Sequence, residues 1–277
     1  MIGLSLGVIY VLMASGLSII FGLLRVVNFA HGTFYMLGAY GFFYLLSLSG
    51  HFWVALVLAP IVIGLVGMFV EMVTLRPLYG TNEINPLLLT LGLTYVFVDI
   101  IRIAFGLAGE PTSIPSRFAG AVNLGFMLFP KYRLFMIVVG AVVMVLVWLF
   151  INRTNVGMVI RAGTKDSEMV QMPGINLRKV WTMVFGIGIA LAALAGALSA
   201  PITGIIPEMG TFTVIEAFVV VVVGGMGSLT GSVVAGLLVG EIISITTLYY
   251  GQAGHASIFA LMVIILLTTK YGLFGEE

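Results

Sequence analysis

Glu216 stands in the run from Thr213 to Gly225, where the residues around it are almost all apolar. An ionised carboxylate at membrane depth is expensive, so it normally faces a cavity, a water-filled path or a partner. Glu216 therefore reads in one of two ways. It lines a translocation path, or it is a charge near a helix start, where the backbone dipole favours an anion. Glu241 lies beside the small residues Ser232, Gly236, Gly240 and Ser244 and needs a polar neighbour, in a path or at an interface. Asn28 and His31 interrupt two apolar runs, a break that either lines a cavity or satisfies its own backbone. Asp99 and Arg102, three residues apart, read as a local ion pair on one helix. Glu71 and Arg76 come just before Pro77 at a predicted helix end, where snorkelling accounts for both. The chemistry these residues offer is binding and passage rather than bond-making. The chain has no Gly-x-x-x-x-Gly-Lys-Ser/Thr phosphate loop, no Gly-x-Ser-x-Gly elbow and no His-Glu-x-x-His pair. Neither an ATPase site nor any other catalytic residue is expected in this chain.

The longest stretch that cannot sit in lipid runs from Gly157 to Asn176 and carries Arg161, Lys165, Asp166 and Glu168, with Arg178 and Lys179 just beyond. A short helix is predicted from about Gly157 to Gln171, stopped by Pro173 and Gly174. Val159, Ala162, Met169 and Val170 give it a small apolar side. A helix this short is marginal alone in water. It is expected to dock on another protein.

These elements sit in a chain of 277 residues that is 61% hydrophobic and only 8% charged. A soluble domain carries about a quarter charged residues, so the fold class is an all-α, polytopic transmembrane helix bundle. Its net charge of +1 gives no reason to expect nucleic acid, and the absence of cysteine excludes disulfides and thiol chemistry. His31, His51 and His255 are too scattered in sequence to suggest a metal site. The first apolar run, from Ile2 to Leu24, lacks a basic leader region and a cleavage site, so no removable signal peptide is expected. A spanning helix needs roughly 20 apolar residues. Runs 2–24, 53–75, 86–107, 133–151, 180–203, 228–248 and 256–270 qualify, and 33–49 and 212–224 are shorter or broken by glycine. Eight or nine segments are expected, some of them re-entrant. If all nine cross, eight of the twelve Lys and Arg residues fall on one side, the side of the 152–179 loop and of Lys270. The positive-inside rule makes that side cytoplasmic and turns the 108–132 segment, with Arg117, outward. Three stripes of small residues at a spacing of four (Ala14-Ser18-Gly22, Gly188-Ala192-Gly196-Ala200 and Ser232-Gly236-Gly240-Ser244) are expected to serve close helix packing.

Four ordered stretches resemble one family. They are Arg25 to Tyr40, Glu71 to Pro77, Gly157 to Asn176 ending in Pro-Gly-Ile-Asn, and Val223 to Ser232; the closing Lys270-Tyr-Gly-Leu-Phe-Gly fits as well. Together they are similar to the branched-chain amino acid ABC-transporter permeases of the LivH type, over essentially the whole chain. The resemblance implies a subunit of a bacterial inner-membrane importer for branched-chain amino acids or related small polar or carboxylate solutes. The partners it implies are a second permease, two cytoplasmic ATPases that hold ATP and Mg, and a periplasmic substrate-binding protein. No cofactor would be bound by this chain. It also implies a coupling helix, and the coupling role falls on Arg161, Ala162, Asp166, Glu168 and Gly174. Asn28, His31, Glu216 and Glu241 remain the candidates for the substrate path. One departure concerns Glu216: several similar amino-acid permeases carry a basic residue there, and a change of sign in a path changes which ligand charge is tolerated. The rival reading is an ion-coupled transporter or channel without ATPases, with Glu216 and Glu241 as its ion sites.

Overall fold

A computed structural model describes residues 2–82, 84–110, 112–123, 125, 127–165 and 176–275. Among them ten α-helices form, so the expected all-α bundle is what the chain builds. The helices are α1 (Ile2–Leu24), α2 (Ala30–Ser49), α3 (Phe52–Val70), α4 (Ile84–Phe105), α5 (Lys131–Arg153), α6 (Asn155–Lys165), α7 (Leu177–Thr203), α8 (Met209–Gly224), α9 (Leu229–Tyr249) and α10 (Gly254–Thr268). Seven segments are long and apolar enough to cross a membrane: 2–24, 52–78, 84–105, 131–153, 177–203, 229–249 and 251–268. The two weaker runs are also helical. α2 has 20 residues. α8 has 16, which at 1.5 Å per residue gives about 24 Å, short of a hydrocarbon core of about 30 Å.

The small-residue stripes place the core. Gly16 of α1 meets Gly188 of α7 backbone to backbone, and Gly196 of α7 lies against the Tyr35 carbonyl of α2. Gly38 of α2 abuts Ala193, and Gly236 and Gly240 of α9 lie on Val11 and Gly7 of α1. These are the close approaches that small residues permit where lipid supplies no hydrophobic drive. α1 and α7 form the spine: 83% and 78% of their apolar windows are buried, against 22%, 17% and 11% for α4, α5 and α10. The outer helices expose Ile103, Leu146 and Leu267. Apolar faces of that size require lipid or another subunit against them.

Between α1 and α2 the chain doubles back. α1 is followed by Arg25, a non-glycine residue at φ +52°. The His31 ring reaches the Met13 carbonyl, eleven residues before the end of α1, or about 16 Å back along it. α2 therefore starts partway along α1. The irregular backbone between them is satisfied from α4, where Thr90 Oγ1 accepts from Phe29 N (3.2 Å). Non-helical backbone at depth is tolerated where protein encloses it in this way.

The ends of α1, α6 and α8 and the residues after α10 meet at one end of the bundle. Gly22 at the end of α1 meets Gly227 and Thr164, and Leu273 and Phe274 donate backbone bonds to Val223 and Gly224. At the opposite end, residues 116–118 form a 3-10 turn and β1 (Ala121–Asn123) pairs antiparallel with β2 (Leu128–Pro130). Phe118 stacks there on Phe135 at 4.4 Å and packs with Phe52 and Trp53.

Candidate functional site

Glu216 is the eighth of the sixteen residues of α8, so it is not a helix-start charge. Its side chain is 13% exposed. Tyr10 of α1 donates its hydroxyl to Oε2 at 2.6 Å, and Nδ1 of His255, at the start of α10, donates to Oε1. One carboxylate thus ties α8 to two other helices by charge-assisted bonds. Nearby, Ser199 of α7 spends its own proton on the Gly196 carbonyl and accepts from Tyr35 of α2 at 2.6 Å. Tyr10, Tyr35, Ser199, Glu216 and His255 bring hydroxyls and a carboxylate together in an otherwise apolar bundle.

Asn28 and His31 are both fully buried. His31 Nε2 donates to the Met13 carbonyl at 3.1 Å. Neither polar atom of the Asn28 side chain, nor His31 Nδ1, has a partner among the described residues. Buried polar groups are rarely left unpaired, so these atoms mark a place where water or a solute group is needed. Phe29 packs on Phe218 of α8 (5.3 Å between rings), and Tyr10 of α1 bonds Glu216 of the same helix, so the break and the carboxylate both lie along the seam between α1, α2 and α8. Glu241 stands apart from that seam. It is half-buried on α9 with its side chain over Gly3, seven residues or about 10 Å along α1 from Tyr10.

The stretch expected to dock elsewhere begins earlier than its spacing implied. Thr154 caps α6 by accepting from Gly157 N at 3.0 Å, and the helix starts at Asn155. Gly157 packs on the carbonyls of Phe150 and Ile151, Ile160 is buried, and Gly163 faces Leu23 of α1. The docked face is therefore Gly157, Ile160 and Gly163. Ala162, on the side read as a face for another protein, is exposed. Arg161 turns back to donate to the Ile151 carbonyl at the end of α5, a favourable position for a cation. Asp166, Glu168 and Gly174 lie outside the described residues.

Two ion pairs are larger than expected. Arg102 does bond Asp99 (2.9 Å), and also Glu208 at 2.6 Å, joining α4 to the turn before α8. Glu71 does not snorkel: it is 0% exposed, bonded by Arg76 at 3.1 Å and by Thr182 of α7 at 2.7 Å. Tyr79 lies beside this pair against Trp181, 5.2 Å between rings. Burial, and then the nearby Glu71 charge, push its phenol above the ordinary value. The sequence reading passed over Tyr10, Tyr35, Ser199, Thr182 and His255. His255 alone carried a signal, as a titratable residue at the mouth of an apolar run.

Comparison with known proteins follows the same length of chain. Residues 1–268 match the family described as the branched-chain amino acid transport system permease component. The high-affinity branched-chain amino acid transport system permease protein BraD of Pseudomonas aeruginosa is 32% identical over 288 aligned residues, covering 99% of this chain and 94% of BraD. LivH of Escherichia coli, a permease protein of the same kind of system, is 28% identical with the same two coverages. A probable branched-chain amino acid permease, LivH of Methanocaldococcus jannaschii, is 28% identical over 96% of this chain and 89% of its own. No solved structure matches. With the match running through α1 to α10 and a relative above 30% identity along its whole length, this chain belongs to the family of branched-chain amino acid transport permeases.

Proposed function

We propose that this chain is a membrane-spanning subunit of an ATP-driven importer of branched-chain amino acids or related small polar or carboxylate solutes, working by alternating access. The observation that carries this reading is the family match across residues 1–268. It favours the importer over the ion-coupled transporter, whose only support was the pair of acids Glu216 and Glu241. The working assembly comprises a second permease, two ATPases that hold ATP and Mg, and a substrate-binding protein on the outer side. That protein docks on the end formed by residues 108–132, where His51, Trp53, Ser113, Ser116 and Arg117 line one cleft. α6 and the residues after it, including Asp166, Glu168 and Gly174, engage an ATPase through the exposed face that carries Ala162. The seam of Asn28, His31, Tyr10, Tyr35 and Glu216 lines the path, and its unpaired polar atoms are met by the solute or by water when it opens.

Purification of the tagged chain in mild detergent tests the assembly. Two ATPases and a second permease are expected to come with it. Replacing Asp166 or Glu168 by lysine should reduce the ATPase recovered or the ATP hydrolysis that depends on transport. A homo-oligomer with no ATPase attached would end this reading.

A further inference from the structure

The stretch from Glu71 to Pro77 has no part in the path or in the exposed face of α6, yet it holds a buried carboxylate of unusual setting. α3 passes into a π-helical turn at Glu71–Leu75, and a 3-10 turn follows at Arg76–Leu78. Such π turns inside helices recur at functional positions. Glu71 Oε2 accepts from Arg76 Nη2 at 3.1 Å and from the Thr182 hydroxyl at 2.7 Å, and Arg76 Nη2 donates to that hydroxyl in turn. Three side chains therefore close a ring between the end of α3 and the first turns of α7. Tyr79 on Trp181 makes a second contact across the same gap.

The position of this ring matters because α7 is the spine. It begins at Leu177, directly after the stretch that carries Asp166, Glu168 and Gly174. Seventeen residues beyond Thr182, or about 25 Å along the helix, Ser199 accepts from Tyr35 beside the Glu216 seam. Between them Gly186 and Ile189 meet α3 at Met68 and Gly67, and Gly188 meets α1. Contacts this close leave little slack, so a shift of the first turns of α7 carries the helix with it. A helix-end staple needs no buried carboxylate, whereas a joint that must return to one geometry gains from a directional, fully bonded ion pair.

We infer that Glu71, Arg76 and Thr182 form the joint through which movement at the first turns of α7 is passed along that helix to the substrate path; these are positioning residues and do not touch the solute. The inference rests on the importer reading. It adds that the fixed pivot for α7 is the end of α3.

The test uses the assembled importer in proteoliposomes, with ATP hydrolysis and solute uptake measured on the same preparation. Thr182→Val keeps the shape and removes the hydroxyl that closes the ring. Solute moved per ATP is expected to fall about tenfold, with hydrolysis within about twofold of the parent. Thr182→Ser, which keeps the hydroxyl, should restore the ratio. Glu71→Gln keeps an acceptor without the charge and should show the same split. An unchanged ratio in both Thr182→Val and Glu71→Gln overturns the joint, and so does loss of assembly in both, which marks a structural staple. Failure of the parent chain to bring down any ATPase would overturn the importer reading instead.

Discussion

Replacing Glu216 by leucine lowers both stability and uptake, and replacing it by glutamine separates the two. In Glu216→Leu the Tyr10 hydroxyl loses its 2.6 Å acceptor inside the bundle, and His255 loses its anion. A hydrogen bond to a charged group contributes about 1.5–3 kcal/mol, and leaving a buried donor unmet costs about 1–3 kcal/mol. The unfolding midpoint in detergent should drop by several degrees. Glu216→Gln keeps an acceptor for Tyr10, so its midpoint should stay near that of the parent. Uptake should still fall by about tenfold or more, the factor that matches a loss of about 1.4 kcal/mol of favourable interaction with the passing solute. Thermal melts alongside uptake measurements decide the matter. If both variants transport like the parent, Glu216 is a helix tie and not part of the path.

The second large effect is steric. A Cβ at Gly196 would overlap the Tyr35 carbonyl, and backbone cannot rotate away as a long side chain can. Inserting methylenes into a well-packed core costs about 1–3 kcal/mol, and more where backbone must move. Gly196→Val should therefore separate α2 from α7, with loss of monodisperse protein on size-exclusion chromatography. Gly92 on α4 is the counter-case, because a Cβ there meets nothing within 4 Å. Gly92→Ala should leave the protein intact or raise its midpoint slightly, since alanine is favoured over glycine inside a helix by about 1 kcal/mol. Equal tolerance at both positions would contradict the packing described for the spine.

The contrast between these two glycines shows how much of the fold was legible in the sequence. The stripe from Gly188 to Ala200 announced a packed face by its spacing alone. Nothing local could say that Gly196 faces Tyr35, which is more than 150 residues away. The long apolar runs gave the spans for the same reason, since a helix must satisfy its own backbone in lipid. Depth was not legible. Asn28 and His31 read as a break between two runs, and only the return of the chain along α1 places His31 beside Met13.

The candidate site divides in a similar way. Glu216 was visible because a carboxylate among valines is costly wherever it sits. Tyr10, 206 residues distant, and Tyr35 carry no local signal that would tie them to it. Glu71 was misread because Arg76 and Pro77 follow it closely and look like an interface. Its burial comes from Thr182, 111 residues away, which no local pattern reveals. The apolar side of the 157–171 helix, with Val159 and Ala162, was legible as a face for another protein, whereas the residues that seat the helix on its own chain were not. α6 lies against α5 and α1 through Gly157, Ile160 and Gly163, and that contact leaves Ala162 exposed.

The central claim is that ATP hydrolysis by partner subunits drives solute through this chain. The most direct measurement is uptake of labelled leucine into proteoliposomes that hold the purified assembly, with ATP inside and the substrate-binding protein outside. The account predicts accumulation that requires both and that persists when proton and sodium gradients are collapsed. Accumulation that follows an imposed ion gradient and ignores ATP would contradict it.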